Sequence, residues 1–187
     1  IYAILDDQSN RSLIGPELCE QLNITGEVVD YTMSSCSGST LMAGRRVSGL
    51  SISSLDGSVN FKLPTLIECD AIPQDISEIP TPEVALGFPH LKKIASSIPP
   101  LERNCSIQLL IGRDLPAAHH VMDQIIGPRE SPFAVHLPLG WVVIGEICLG
   151  RVHKPNSVHT YFTDIQLNKR STIFEPCNSY LSVKEPT

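Results

Sequence analysis

No run of eighteen apolar residues occurs in the chain, so the sequence offers no membrane-spanning helix. Basic residues are few and scattered. Fourteen Lys and Arg stand against twenty acids, for a net charge of −6, and no basic stripe exists that could track a phosphate backbone. Direct nucleic-acid binding is therefore not expected. The six cysteines (Cys19, Cys36, Cys69, Cys105, Cys148 and Cys177) form no Cys-x-x-Cys pair and stand at no zinc spacing from histidine. They read as reduced, buried thiols, and neither a metal nor a cofactor is expected. Aromatics are only 5%, and sustained helical periodicity is missing.

What is abundant is serine, glycine and proline, the last at fifteen positions, in a chain that is 42% hydrophobic and 18% charged. That balance builds a globular core, and the punctuation favours many short strands over long helices. At 187 residues there is room for one domain and an appended segment. The chain opens Ile1-Tyr2-Ala3, without an initiator Met or a signal pattern, and reads as a piece of something longer. An intracellular, cytoplasmic setting is expected. The three Asn-x-Ser/Thr matches, at Asn10, Asn23 and Asn104, are accordingly not read as glycosylation sites.

Ile1 to Leu5 is strand-like and runs into Asp6-Asp7-Gln8-Ser9-Asn10. Pro16 at a first helical position, Glu17 behind it, and Leu18/Leu22 at i,i+4 predict a short helix. From Glu27 to Leu63 the pattern is β, with Asp56-Gly57 marking a hairpin turn. Thr65 to Cys69 reads as another strand. Pro73 to Pro100 holds six prolines and reads as a long connection with one short helix around His90 to Ala95. Ile107 to Ile111 is a compact strand ending in Gly112-Arg113-Asp114, and a last strand is expected near Leu139 to Cys148. Beyond Gly150 the pattern weakens to a polar connector expected to bury little apolar area.

Two parts of this pattern bear on chemistry: apolar-apolar-Asp at Ile4-Leu5-Asp6, and apolar-apolar-Gly-Arg-Asp at Leu110-Ile111-Gly112-Arg113-Asp114. The first presents a carboxylate at a strand end, and the second would be the strand that crosses beneath its loop. Further landmarks are Leu63-Pro64-Thr65-Leu66-Ile67-Glu68-Cys69, Ile79-Pro80-Thr81-Pro82-Glu83, Leu139-Gly140-Trp141-Val142-Val143-Ile144-Gly145 and Phe174-Glu175-Pro176-Cys177. In these motifs and their order the chain resembles the BEL/Pao-type retrotransposon polyproteins over their retropepsin-like aspartic peptidase domain.

The resemblance implies a mostly β fold: a small closed acid-protease barrel with one or two short helices. The peptidase domain would cover residues 1–150, lacking the strand that relatives place before the catalytic loop. Residues 151–187 would form a linker toward a reverse transcriptase region. It implies a homodimer that cleaves a polyprotein peptide substrate, with one catalytic aspartate, Asp6, from each protomer. Two carboxylates that close share one proton, so one activates water while the other donates to the scissile carbonyl. Asp7, Gln8 and Ser9 complete the active-site loop, Gly112, Arg113 and Asp114 support it, and Ser35 to Gly49, with Gly38 near its tip, is the candidate flap.

Asp7 and Gln8 depart from that family's pattern, standing where it has threonine and glycine. An ionised Asp7 accepts but cannot donate across a dimer, and Gln8 adds a side chain where glycine lets the backbone approach. The alternative reading is a catalytically inactive module that keeps the fold for dimerisation or peptide binding. Arg113 matches an arginine that pairs with an acid, here Asn10, so a hydrogen bond could replace the ion pair. Asp6 to Glu17 imitates a calcium loop, but Arg11 stands where its tight turn needs glycine. His119-His120 reads as a solvated pair, since neighbours on a helix do not face one site.

Overall fold

The computed structural model describes residues 1–147 and 164–167. Among them the chain is mostly β with a few short helices, as the composition predicts. Strands β1 (Tyr2–Leu5) and β2 (Leu13–Ile14) precede helix α1 (Pro16–Gln21). Then come β3 (Val28–Ser35), β4 (Gly38–Val47), β5 (Ser51–Ser53), β6 (Asn60–Lys62) and β7 (Leu66–Glu68). Helix α2 (Pro82–Gly87) follows, and then β8 (Ile107–Ile111), β9 (Asp123–Ile125), β10 (Phe133–Leu137), β11 (Gly140–Ile144) and β12 (Asp164–Leu167). Short 3-10 turns cover Ile76–Glu78, Lys92–Ser97 and Pro116–His119.

Seven strands form one sheet in the order β1-β8-β2-β7-β4-β3-β12. β1 runs parallel to β8, with Leu5 opposite Ile111, so residues far apart in sequence become neighbours at its edge. β8 is buried at all five positions, as an apolar run covered on both faces should be. One face packs Leu13, Tyr31, Ile67, Leu110 and Ile165, and another cluster gathers Ile14, Leu18, Val47, Leu66 and Leu109. Leu13/Ile14 and Leu109/Leu110 divide between the clusters because successive strand residues face opposite ways.

Polar side chains tie the sheet at chosen points. Gln108, 3% exposed, accepts a hydrogen bond from the Leu18 N–H at the start of α1 and donates to Glu17 and Ser106. It does for α1 what a capping side chain would, since Gly15 supplies none. Arg45 on β4 meets Glu68 on β7 through two side-chain contacts, its Nε at 2.7 Å, and donates to the Ile24 carbonyl. These bonds hold the Glu68 carboxyl below its ordinary value of 4.5. Burial pushes the Cys69 and Cys19 thiols up, so both behave as small apolar groups.

A second unit lies between α2 and β11. Sheet β11-β10-β9 packs Ala134 and Ile125 against Ala85, Leu91, Ile94, Ala95 and Ile98, forming a separate core. The sequence reading took Pro73 to Pro100 as a connection, but part of that stretch closes this core. The last strand expected at Leu139 to Cys148 is instead the second arm of a hairpin, β10 with β11, turning at Pro138-Leu139; Cys148 lies outside the described residues.

Two expectations need correction. The sheet ends at β1 and β12 among the described residues, so no closed barrel is formed there. Within the segment read as a linker, β12 pairs antiparallel with β3 and buries Ile165 to 4% exposure. Four residues of no obvious pattern thus join the sheet because a partner edge is waiting for them. The rest of 151–187 lies outside the described residues.

Candidate active site

Asp6 sits one residue beyond β1, where its N–H donates to the Ile111 carbonyl at 2.9 Å. The side chain is 8% exposed, and both carboxylate oxygens accept: Oδ1 from the Gln8 N–H at 2.9 Å, Oδ2 from the Ser9 hydroxyl at 2.6 Å. Aspartate followed by short polar residues closes such a turn readily, because its carboxylate reaches the N–H two residues on. Ser9 is fully buried and its N–H returns to the Asp6 carbonyl at 3.3 Å.

The strand end beneath this loop is stitched to it. Gly112 N–H donates to Ser12 Oγ at 3.0 Å, and Arg113 N–H to the Ser9 carbonyl at 2.9 Å. Asp114 receives both the Ser12 hydroxyl, at 2.6 Å, and the Ser12 N–H, at 3.0 Å. A Cβ on residue 112 would lie 2.7 Å from the Ser9 carbonyl oxygen and 2.8 Å from Arg11 backbone atoms. Only glycine permits that approach. His119 adds a ring-nitrogen contact to the Gly112 carbonyl at 3.0 Å.

The structure therefore gathers Asp6, Ser9, Gly112 and Asp114 at one place, as the two-part motif predicts. Arg113 joins only through its backbone. Its side chain is exposed and has no hydrogen-bonding partner among the described residues, so no hydrogen bond to Asn10 stands in for the ion pair. Asn10 instead pairs with the Ile165 backbone, donating to its carbonyl at 3.1 Å and accepting its N–H at 2.8 Å. Asp7 and Gln8 are exposed, and the Gln8 amide turns back to donate to Asp7 Oδ1 at 3.0 Å. Gln8 thus supplies the backbone donor that Asp6 needs while its side chain occupies itself with its neighbour.

Gly38 lies at the tip of the β3–β4 hairpin with φ +130°, where the antiparallel arms meet around Cys36-Ser37. The serines there bond one another, Ser34 to Ser39 at 2.8 Å and Ser35 to Ser37 at 2.7 Å. A hairpin is thus present where the candidate flap was drawn.

Sequence reasoning missed the role of Ser12 and read His119 as solvated. Ser12 stands three residues after Ser9 in a loop already suspect, and a second buried hydroxyl opposite Gly-x-Asp was the available signal. His119 is half-buried rather than solvated, and only the fold reveals its carbonyl partner; His120 is exposed.

A cavity of about 970 Å³ runs beside β1, with Tyr2 through Leu5 along one wall. Asp6 does not line it. Comparison of the chain with protein-family models, characterised proteins and solved structures finds no match.

Proposed function

We propose that the chain is the aspartic endopeptidase domain of a retroelement polyprotein, cleaving peptide bonds with Asp6 from each of two copies. The observation that carries this reading is the Asp6 loop. A buried carboxylate at a strand end has both oxygens held in place, and its loop is fastened to the glycine ending the strand beneath. Such fixed geometry is what general acid–base chemistry on water requires. One carboxylate is half of the apparatus. A two-fold axis near Asp6 would bring in the second, and the shared proton would divide the roles of base and acid.

The test is self-cleavage of a polyprotein containing this chain and the residues flanking it. Asp6→Asn is expected to abolish cleavage while leaving the melting temperature within a few degrees. Persistent cleavage by Asp6→Asn sinks the reading. The double change Asp7→Thr with Gln8→Gly is expected to raise activity about tenfold or more, by supplying a cross-dimer donor and clearing a side chain. A loss of activity there would make Asp7 and Gln8 working parts.

A second reading is favoured by the Gln8–Asp7 contact. Two exposed side chains satisfy each other where the resembled family has a donor and a glycine, which suits a module that keeps the fold without the reaction. Unchanged processing in Asp6→Asn, with dimerisation retained in sedimentation, would support it.

A further inference from the structure

Strand β12 is held from two sides. On one it pairs antiparallel with β3, Ile165 opposite Met33 and Gln166 opposite Thr32. On the other, the Asn10 side chain bonds both backbone groups of Ile165, accepting its N–H at 2.8 Å and donating to its carbonyl at 3.1 Å. With those groups occupied, alternation leaves the backbones of Asp164 and Gln166 to bond β3, at Ser34 and Thr32. A side-chain amide that grips the N–H and carbonyl of one residue imitates a neighbouring strand. It recognises extended backbone rather than a particular sequence. Selectivity comes from Ile165, 4% exposed, which packs among Leu13, Tyr31, Ile67 and Leu110, while Gln166 is exposed.

The two holders are the two parts that flank the candidate chemistry. Asn10 lies four residues beyond Asp6, in the loop that fixes the carboxylate. β3 runs on to the hairpin tip at Cys36-Ser37, where the candidate flap was drawn. An extended strand of the chain itself therefore lies between the hairpin and the Asp6 loop.

We propose that the track between β3 and Asn10 is a binding site for an extended peptide with a branched aliphatic anchor, and that β12 fills it in cis as a self-inhibiting strand. Main-chain bonds supply the affinity and the pocket around Ile165 the selectivity. A tethered strand competes at an effective concentration of about millimolar, so a free peptide meets a track already taken. The inhibitory role rests on the peptidase reading. The binding does not, and it is measured in a chain carrying Asp6→Asn.

The probe is a labelled, capped peptide copying residues 162–169, compared with one carrying aspartate in place of its isoleucine. In the Asp6→Asn chain, adding Ile165→Asp should empty the track. Exchange at the Thr32 and Ser34 amides should rise at least about tenfold, and the copied peptide should slow it again. The peptide should bind this variant at least about tenfold more tightly than the chain with Ile165, and raise its melting temperature. A second measurement needs no destabilised variant. With Ile165 intact, millimolar peptide should speed exchange at the Ile165 amide while Thr32 and Ser34 stay protected. Equal binding to both chains, equal binding of the aspartate peptide, or an unchanged Ile165 amide overturns the proposal. With Asp6 and the flanking residues present, Ile165→Asp should cleave an added polyprotein peptide at least about threefold faster, below its melting midpoint. Slower cleavage there overturns the inhibitory role. Absent cleavage in both chains, with binding as expected, upholds the peptide site and counts against the peptidase reading.

Discussion

Around the seven-stranded sheet, buried polar side chains tie distant segments together, whereas the unit from α2 to β11 is closed mostly by apolar packing. Ser9, Ser12 and Gln108 are all below 4% exposure on the sheet side, and each satisfies partners far away in sequence or closes the Asp6 loop. The smaller unit relies on Ala85, Ala95, Ala134, Leu91 and Ile94, with His90 to the Pro132 carbonyl as its long polar link. A carboxylate meant to hold one geometry needs the first kind of surroundings, because hydrogen bonds fix direction and apolar contact does not. The second kind suits a wall that shapes a cavity.

The sharpest way to break the comparison is to hollow each core in turn. Leu110→Ala, at a site 2% exposed, should cost about 3 kcal/mol and raise amide exchange across the whole sheet. Ile94→Ala, 4% exposed, should cost somewhat less and raise exchange at Val135 while leaving Leu110 nearly unchanged. If both amides lose protection equally in Ile94→Ala, the two regions are one cooperative unit.

Next in size is β12. Ile165→Ala should lower stability by roughly 2–3 kcal/mol, because its side chain fills the sheet core. A chain ending at residue 150 should melt lower still. Denaturation of the two variants checks this, and a wild-type midpoint in either would remove β12 from the sheet's account.

The smallest effect tests the polar side by pH. Hydrogen bonds from Arg45 depress the Glu68 carboxyl, so their stabilisation is fully present above about pH 4.5 and is lost as pH falls through the lowered value. Glu68→Gln should melt about 3–5 °C lower at neutral pH, with the gap to wild type shrinking in acid. A gap that stays constant with pH would show that the pair adds shape rather than charge.

Much of the site was legible because its signals are local. A strand running into Asp6, a glycine ending β8, Pro16 opening α1 and Asp56-Gly57 turning a hairpin each depend on a few adjacent residues. Less was legible where stability comes from afar. The alanines of the smaller core carry little hydrophobic signal, and Asp164–Leu167 becomes a strand only because β3 offers an edge. The Arg113–Asn10 bond that the sequence left open does not form for a related reason: Asn10 is taken by the Ile165 backbone.

The pairing of β1 with β8 also sets a clock. Ser12 and Asp114, which clasp the Asp6 loop, stand 102 positions apart in the chain. At about 5–20 residues per second, a ribosome that has made Asp6 needs on the order of 5–20 s to make its support. Loop closure over that distance is also slow compared with local turns. The support beneath the Asp6 loop is therefore assembled late, after α1 and both early hairpins have had time to form. A nascent chain would emerge with this loop still unfastened, and its fixed geometry must wait for the far strand to arrive.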